Sequence, residues 1–199
     1  MGNIIKAIIF DVGGVITKDF NGFGMLASKL NIDYDLIVRI WKENSTKIHE
    51  HKSTIENFLD IVKEKSKIDA DIIGTWEKIY YENIELDAGV LSILKKLHGK
   101  YKLIVISNAA EFHARQIRKK GVYSHFDRVF LSHEVGIKKP QRGIFEHALK
   151  ELKLNADECV FIDNDEENIA AATELGFKAI NFKNAEHLAT ELKRLGVGV

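Results

Sequence analysis

The chain has 199 residues, 45% of them hydrophobic, so it can bury a substantial core and fits one α/β domain with a small insert. Its 29 basic and 29 acidic side chains balance, which argues against a nucleic-acid-binding or polybasic membrane-binding protein. The single cysteine, Cys159, excludes a disulfide framework within the chain and favours a reducing, cytoplasmic environment. Lys6 and Asp11 interrupt the first apolar segment, so we expect neither a signal peptide nor a membrane span.

Short apolar runs predict buried parallel strands, four of them strong and one, at 128–131, weaker. In chain order the runs span residues 4–12, 102–107, 128–131, 159–163 and 178–182. Apolar residues at helical spacing lie between them, around 90–97, 144–152 and 169–175. Gly99, Gly121 and Gly176 stand where helices end in a left-handed residue. Alternating strands and helices predict a doubly wound parallel sheet.

Residues 18–86 break this alternation and contain no convincing strand. They carry helical apolar stripes instead, and Ser53 with Glu56 predicts a capping box before one of them. We therefore predict a helical cap over 18–86 and a sheet domain formed by 1–17 and 87–199. Such an insert would lie above the carboxyl end of the sheet, where open α/β folds bind ligands.

Four aromatic residues fall in this predicted cap. We expect them to form the cap core or the cap–core interface rather than a specific ligand pocket; they are Phe20, Phe23, Trp41 and Trp76.

Polar side chains follow several of the predicted strands. They are Asp11, Ser107 with Asn108, Lys139 before Pro140, and Asp163 with Asn164 and Asp165. Because the carboxyl ends of parallel strands share one edge, these groups should converge in one crevice. A carboxylate can attack phosphorus when nearby positive charge offsets the repulsion, and a lysine and a Mg²⁺ held by oxygen ligands supply that charge. A serine hydroxyl and free helix N–H groups can bind the phosphate oxygens.

The segments "FDVGGV", "VISN", "GIKKPQRGIFEHAL" and "FIDNDEENIAAATELG" resemble, in order, the four motifs of the haloacid dehalogenase superfamily. The resemblance covers nearly all of residues 4–182 and implies a Rossmann-like core whose small helical cap selects the substrate. It implies that Asp11 is a nucleophile that forms an aspartyl phosphate and that Lys139 is a charge clamp. Phosphate would bind at Ser107, Asn108 and Lys139, and Mg²⁺ at Asp11, the Gly13 carbonyl, Asp163 and Asn164.

Two positions depart from the family pattern. Phosphatases of the family usually have a second aspartate two residues after the nucleophile, which protonates the leaving group and later activates water. Gly13 can still offer its carbonyl to a metal, but the acid–base contribution of about 10²–10⁴-fold is lost or supplied elsewhere. Asn164 stands where another acid is frequent, so we expect weaker Mg²⁺ binding unless Asp165 compensates, directly or through water.

A replacement acid has three sequence candidates: Asp19, just past the nucleophile loop, and His49 and His51 in the cap. The simpler alternative is that Asp19 caps the following segment and that both histidines are solvated. Simple structural roles are also open for Ser107 with Asn108, as a helix N-cap, and for Asn168, as a brace of the acidic loop.

These observations favour a Mg²⁺-dependent phosphatase of a small phosphorylated metabolite that reacts best with good leaving groups. Two alternatives stay open. One is a catalytically silent phosphate-binding or regulatory module, suggested by the missing acid at Gly13 and by a metal site with fewer carboxylates, since Asn164 replaces one. The other is a 2-haloacid dehalogenase, whose halide needs neither a proton nor a metal, although Asp163 and Asp165 would repel its anionic substrate. The sequence names neither the substrate nor the oligomeric state.

Overall fold

The computed structural model describes residues 4–199, so residues 1–3 of the predicted sheet domain lie outside the described residues. Five strands form one parallel sheet in the order β3-β2-β1-β4-β5. They are β1 (Ala7–Phe10), β2 (Lys102–Ser107), β3 (Arg128–Leu131), β4 (Cys159–Asp163) and β5 (Lys178–Asn181). All five predicted strands are therefore confirmed.

The first strand is shorter than its apolar run predicts. Ile4 is exposed, and beyond Phe10 the chain turns, because the carbonyl oxygen of Val12 accepts the N–H groups of Ile16 and Thr17, each at 2.9 Å. The last strand ends at Asn181, one residue earlier than predicted. Gly99, Gly121 and Gly176 adopt positive φ angles of 75°, 74° and 94° after three helices, as predicted.

Four helices follow β1 and share a hydrophobic cluster that includes Ile40, Phe58 and Trp76 and extends to Ala110 and Phe112 of the sheet domain. They are α1 (Gly22–Leu30), α2 (Tyr34–His49), α3 (Ile55–Ser66) and α4 (Ile72–Asn83). The predicted capping box is wrong in its N-cap residue, because Thr54, not Ser53, caps α3 by accepting the N–H of Asn57 in the first turn at 3.1 Å. Helix α1 was not predicted, since its two glycines and short apolar stripe give a weak helical signal.

The remaining helices cover both faces of the sheet. They are α5 (Ala88–Leu97), α6 (Glu111–Lys119), the short α7 (Ser132–Val135), α8 (Arg142–Leu152), α9 (Glu166–Glu174) and α10 (Ala185–Arg194). Successive strand side chains point to opposite faces, so Ile8 and Phe10 pack with α5, α6 and α10, whereas Ala7 and Ile9 pack with α8 and α9. This doubly wound, Rossmann-like α/β fold with a helical cap after β1 agrees with the sequence prediction.

The chain leaves the sheet for the cap and returns at one place. Thr17 bridges Leu86, the N–H of Lys18 donates to the Glu85 carbonyl at 2.8 Å, and the N–H of Asp87 donates to the Ile16 carbonyl at 2.9 Å. These paired crossings follow directly on the β1 turn, so they hold the cap beside the carboxyl end of the sheet. Within residues 4–199, the helices include none that is both long and apolar enough to cross a membrane.

Candidate active site

The polar residues that follow the strands do meet in one cavity. The register pairs Phe10 with Ile162, and the N–H of Asp11 donates to the Ile162 carbonyl at 2.9 Å, so Asp11 lies level with Asp163. The cavity has a volume of about 470 Å³ and is lined by Asp11, Gly13, Ser107, Asn108, Lys139, Asp163, Asn164, Asp165 and Asn168. Of the sequence-predicted site residues, the three candidates for a replacement acid, Asp19, His49 and His51, lie outside this lining.

Lys139 joins the two carboxylates that face the cavity. It is only 2% exposed, and its Nζ lies 2.8 Å from Oδ1 of Asp11 and 2.6 Å from Oδ2 of Asp163. Burial alone would lower the pKa of Lys139, but the charges of Asp11 and Asp163 outweigh that effect and raise it. Lys139 therefore stays a cation at neutral pH and holds the Asp11 carboxylate by one oxygen.

The backbone of Lys139 is held by the side chain of Asn108. The Lys139 N–H donates to Oδ1 of Asn108 at 2.7 Å, and Nδ2 of Asn108 donates to the Lys139 carbonyl at 2.9 Å. The simple N-cap interpretation of Ser107 with Asn108 is wrong, because the N-cap of α6 is Ala110 and no side chain caps it. Ser107 is buried and lines the cavity instead.

The acidic loop after β4 is braced from within. Nδ2 of Asn168 donates to Oδ2 of Asp163 at 3.1 Å, which confirms the predicted brace. The N–H of Asp165 donates to the other oxygen of Asp163, Oδ1, at 2.9 Å. Burial and the charge of Asp11 raise the pKa of Asp163. Asp165 caps α9, since its Oδ1 accepts the N–H of Glu167 at 2.8 Å.

The donor set fits a hard cation. Two carboxylates, of Asp11 and Asp163, share a single ammonium group, so one negative charge is left over in a buried place. The cavity also contains the backbone of Gly13 and the amide of Asn164, and oxygen donors of these kinds are what Mg²⁺ prefers. Among residues 4–199, there is no cluster of three or more His, Cys, Asp or Glu side chains placed to hold a metal.

The two glycines of the loop that follows β1, Gly13 and Gly14, differ in the side chains that they would tolerate. A Cβ on Gly13 would have no heavy atom within 4 Å, so the missing aspartate is not excluded by lack of space. Gly14 has a φ of +72°, and a Cβ there would clash with Nδ2 of Asn164 and lie 2.8 Å from Oδ2 of Asp19. Gly14 is thus required by its conformation and its neighbours.

The same geometry places the carboxylate of Asp19 beside Gly14 in the loop that follows β1. Asp19 does not cap the following helix, because Asn21 does so by accepting the N–H of Gly24 at 2.9 Å. The expectation that both cap histidines are solvated is wrong for His49, whose pKa is lowered to about 4 by burial and by Lys138, His133 and Lys139. His51 is exposed, and neither histidine lines the cavity.

A second cavity, of about 260 Å³, meets the first at Gly13. We call it the aromatic pocket; besides Gly13 its walls include Phe20, Phe23, Trp76, Tyr80 and His113. Phe23 and Trp76 belong to the cap core as predicted, but they also face this space. Sequence reasoning missed Tyr80 and His113, which come from α4 and α6, since no local pattern links them.

Comparison with known proteins identifies the family. A family model described as haloacid dehalogenase-like hydrolase matches residues 5–176. The chain belongs to this hydrolase family. It is 29% identical to a glyceraldehyde 3-phosphate phosphatase of Methanothermobacter thermautotrophicus, over 89% of this chain and 85% of that one. It is 26% identical to a sesquiterpene phosphatase of Aspergillus oryzae, over 98% of both.

A solved structure shares the hydrolase fold. It is a haloacid dehalogenase family enzyme of Bacteroides thetaiotaomicron, solved in complex with magnesium and inorganic phosphate. Its TM-score is 0.77 at 21% identity, covering 90% of this chain and 95% of that chain. The likeness extends through both the sheet and the cap.

Proposed function

We propose that this hydrolase is a Mg²⁺-dependent phosphatase of a small phosphorylated substrate and that it works through an aspartyl phosphate on Asp11. The observation that carries the proposal is Lys139, buried between Asp11 and Asp163 in a cavity that Ser107 also lines. A buried ammonium there offsets the charge of an incoming phosphate. Relatives named as phosphatases, and the Bacteroides fold neighbour bound to magnesium and phosphate, support the same reading.

The first step follows from which oxygen of Asp11 is free to attack. Lys139 holds Oδ1, so Oδ2 attacks phosphorus, and the bond from phosphorus to the ester oxygen breaks. The Ser107 hydroxyl and the Lys139 ammonium bind the phosphoryl oxygens as charge develops on them. Because Lys139 engages both polar atoms of the Asn108 side chain, Asn108 would contact phosphate through its backbone N–H. Bound at Asp11, Asp163, Asn164 and the Gly13 carbonyl, Mg²⁺ would supply further positive charge.

Asp19 takes the place of the missing acid in this proposal. Its carboxylate lies beside Gly14 and lines the aromatic pocket together with Gly13. It would give a proton to the ester oxygen as that bond breaks. It would then take a proton from the water that attacks the aspartyl phosphate, releasing phosphate and restoring Asp11.

The test is steady-state phosphate release from a panel of esters, with Mg²⁺ and with excess EDTA. Asp11→Asn should lower kcat by about 10³-fold or more, because loss of a nucleophile costs up to about 10⁶-fold in other enzymes. Asp60→Asn, an exposed aspartate on α3, is the matched control and should keep wild-type activity. Release that persists in Asp11→Asn, or that EDTA leaves unchanged, would contradict the proposal.

The absence of a side chain at Gly13 also favours a second candidate, a silent phosphate-binding module. That function predicts phosphate binding without turnover. Calorimetric binding of phosphate to the wild-type protein, combined with no release above the Asp11→Asn level, would select it over the phosphatase.

A further inference from the structure

The aromatic side chains that line the aromatic pocket suit the binding of a flat or branched apolar group. The rings of Phe23 and Trp76 stack with centroids 5.4 Å apart, and Phe20 meets Tyr80 edge-on at 5.5 Å. The imidazole of His113 stacks on Tyr80 at 4.2 Å with an interplanar angle of 12°. The pocket volume, about 260 Å³, exceeds the ~150 Å³ of an apolar cavity that holds benzene. A ring or a branched chain therefore fits.

The aromatic pocket and the cavity that contains Asp11 and Lys139 share one lining residue, Gly13. Gly13 lines both spaces, and no heavy atom lies within 4 Å of the point where its Cβ would be. From a phosphate bound at Asp11 and Lys139, an ester group that extends past Gly13 would enter the aromatic pocket. No side chain stands at this position to block it.

The polar groups on the pocket wall are mostly engaged already. Lys18 pairs with Glu85, the Thr17 hydroxyl donates to the Val12 carbonyl at 3.2 Å, and Oδ1 of Asn21 caps α1. Asp19, the other charged residue of this lining, lies beside Gly14, where the proposed mechanism uses it as the acid. Elsewhere in the pocket, a charged group or a row of hydroxyls would lose its water with few partners to replace it. This lining disfavours sugar-like ester groups.

Apart from Asp19, two buried nitrogens are the exception. Nε2 of His113 and Nε1 of Trp76 are buried and have no hydrogen-bond partner among the described residues. Burial, with a smaller effect of His49, lowers the pKa of His113 to about 3, so its ring is neutral at pH 7. An unpartnered buried nitrogen is costly, and a ligand oxygen that reached it would remove the cost.

We infer that the aromatic pocket binds the ester group of the substrate, and that this group is an uncharged, largely apolar alcohol with one oxygen that hydrogen-bonds to His113. The inference rests on the proposed phosphatase function and narrows its substrate class. Of the two substrate types in the names of the relatives described above, it favours a terpene-type ester over a sugar phosphate.

Phosphonates test the pocket without turnover, because their carbon–phosphorus bond replaces the ester bond. We would measure the Kd of methylphosphonate, benzylphosphonate and 2,3-dihydroxypropylphosphonate by calorimetry with the wild-type protein and Mg²⁺. Benzylphosphonate should bind about tenfold or more tighter than methylphosphonate, as expected for burial of an aromatic ring. Equal Kd values, or a preference for the dihydroxypropyl compound, would overturn the inference. Asp11-dependent phosphate release, measured separately, decides the proposed function.

Two variants locate the effect. Phe20→Ala removes one wall and should lower the benzyl-to-methyl affinity ratio several-fold, whereas Phe182→Ala, a half-buried residue near β5, should leave the ratio at its wild-type value. If both variants lower the ratio equally, or if neither does, the ring does not bind in this pocket.

His113→Phe keeps a ring on Tyr80 and removes Nε2. Among benzylphosphonates with a hydroxymethyl group at ring position 2, 3 or 4, at least one should bind tighter than the parent compound to the wild-type protein. That gain should vanish in His113→Phe and persist in His125→Phe, which changes an exposed histidine. A gain that survives in His113→Phe, or no gain in any isomer, would overturn the assigned hydrogen bond.

Discussion

At the scale of single residues, the proposed mechanism divides between two residues the tasks that one aspartate often combines. In it Asp19, whose carboxylate lies beside Gly14, transfers the protons, while Gly13 offers only a backbone carbonyl. Asp19→Asn should therefore lower kcat for alkyl phosphates by about 10²-fold and for acetyl phosphate much less, because a good leaving group needs little protonation. The measurement is phosphate release from both substrates. The control is Asp33→Asn, which changes the exposed residue that precedes α2 in the helical cap. Equal losses on both substrates would count against Asp19 as the acid.

Gly13 allows a complementary test of the same idea. Space for a side chain exists there, so Gly13→Asp should restore at least about tenfold of the alkyl phosphatase activity lost in Asp19→Asn, by returning an acid to the loop. Gly13→Asn is the matched control, equal in size but without a proton to donate. Rescue by asparagine, or no rescue by aspartate, would show that the loop does not lack an acid.

At the scale of elements, the position of Lys139 depends on a connection between the carboxyl end of β2 and the loop before α8. Asn108 provides it with two hydrogen bonds to the Lys139 backbone. Asn108→Ala should lower kcat/KM about tenfold or more by displacing the ammonium, and should lower the free energy of unfolding by about 1–2 kcal/mol. Urea unfolding and phosphate release measure the two effects.

Asn108→Asp, which keeps only the acceptor, is the control, and its kcat/KM should lie between those of the alanine variant and the wild type. Full activity in Asn108→Ala would contradict a positioning role.

At the scale of the whole molecule, the junction of cap and sheet domain contains histidines that folding keeps neutral. Their pKa values are lowered, to about 4 for His49 and about 3 for His113, whereas an unfolded chain has about 6.5. Between these values the unfolded state binds more protons. The contribution of these histidines to the free energy of unfolding is therefore complete above pH 6.5. It is lost as the pH falls towards 4, by at most about 1.4 kcal/mol per pH unit for each histidine.

Urea unfolding between pH 7 and pH 4.5 measures this dependence. His113→Gln should show a shallower loss of stability on acidification than wild type, because one site of preferential protonation in the unfolded state is gone. His125→Gln, at an exposed histidine, should keep the wild-type slope. Parallel curves for wild type and His113→Gln would contradict the burial of a neutral imidazole.

Much of the fold and of the candidate site could be predicted because the signals are local. Asp11 follows β1, and Ser107 and Asp163 end β2 and β4. A parallel sheet carries these ends to one edge, so the three residues were expected together and do line one cavity. The brace from Asn168 lies on the first turn of α9, five residues from Asp163, which is again a local relation. The incorrect N-cap at Ser53 shows the limit, since neighbouring Thr54 offers a similar hydroxyl and only the backbone path chooses between them.

The sequence by itself therefore determined the doubly wound sheet, the helical cap and the residues at the strand ends, because alternating strands and helices have few ways to pack. Only the tertiary structure decided that Asp19 lies against Gly14 and that Asn108 holds Lys139. It alone assembled the aromatic pocket, whose Phe20, Tyr80 and His113 come from three distant segments. Contacts of that kind depend on how the cap packs on the sheet domain, and no periodicity along one segment encodes them.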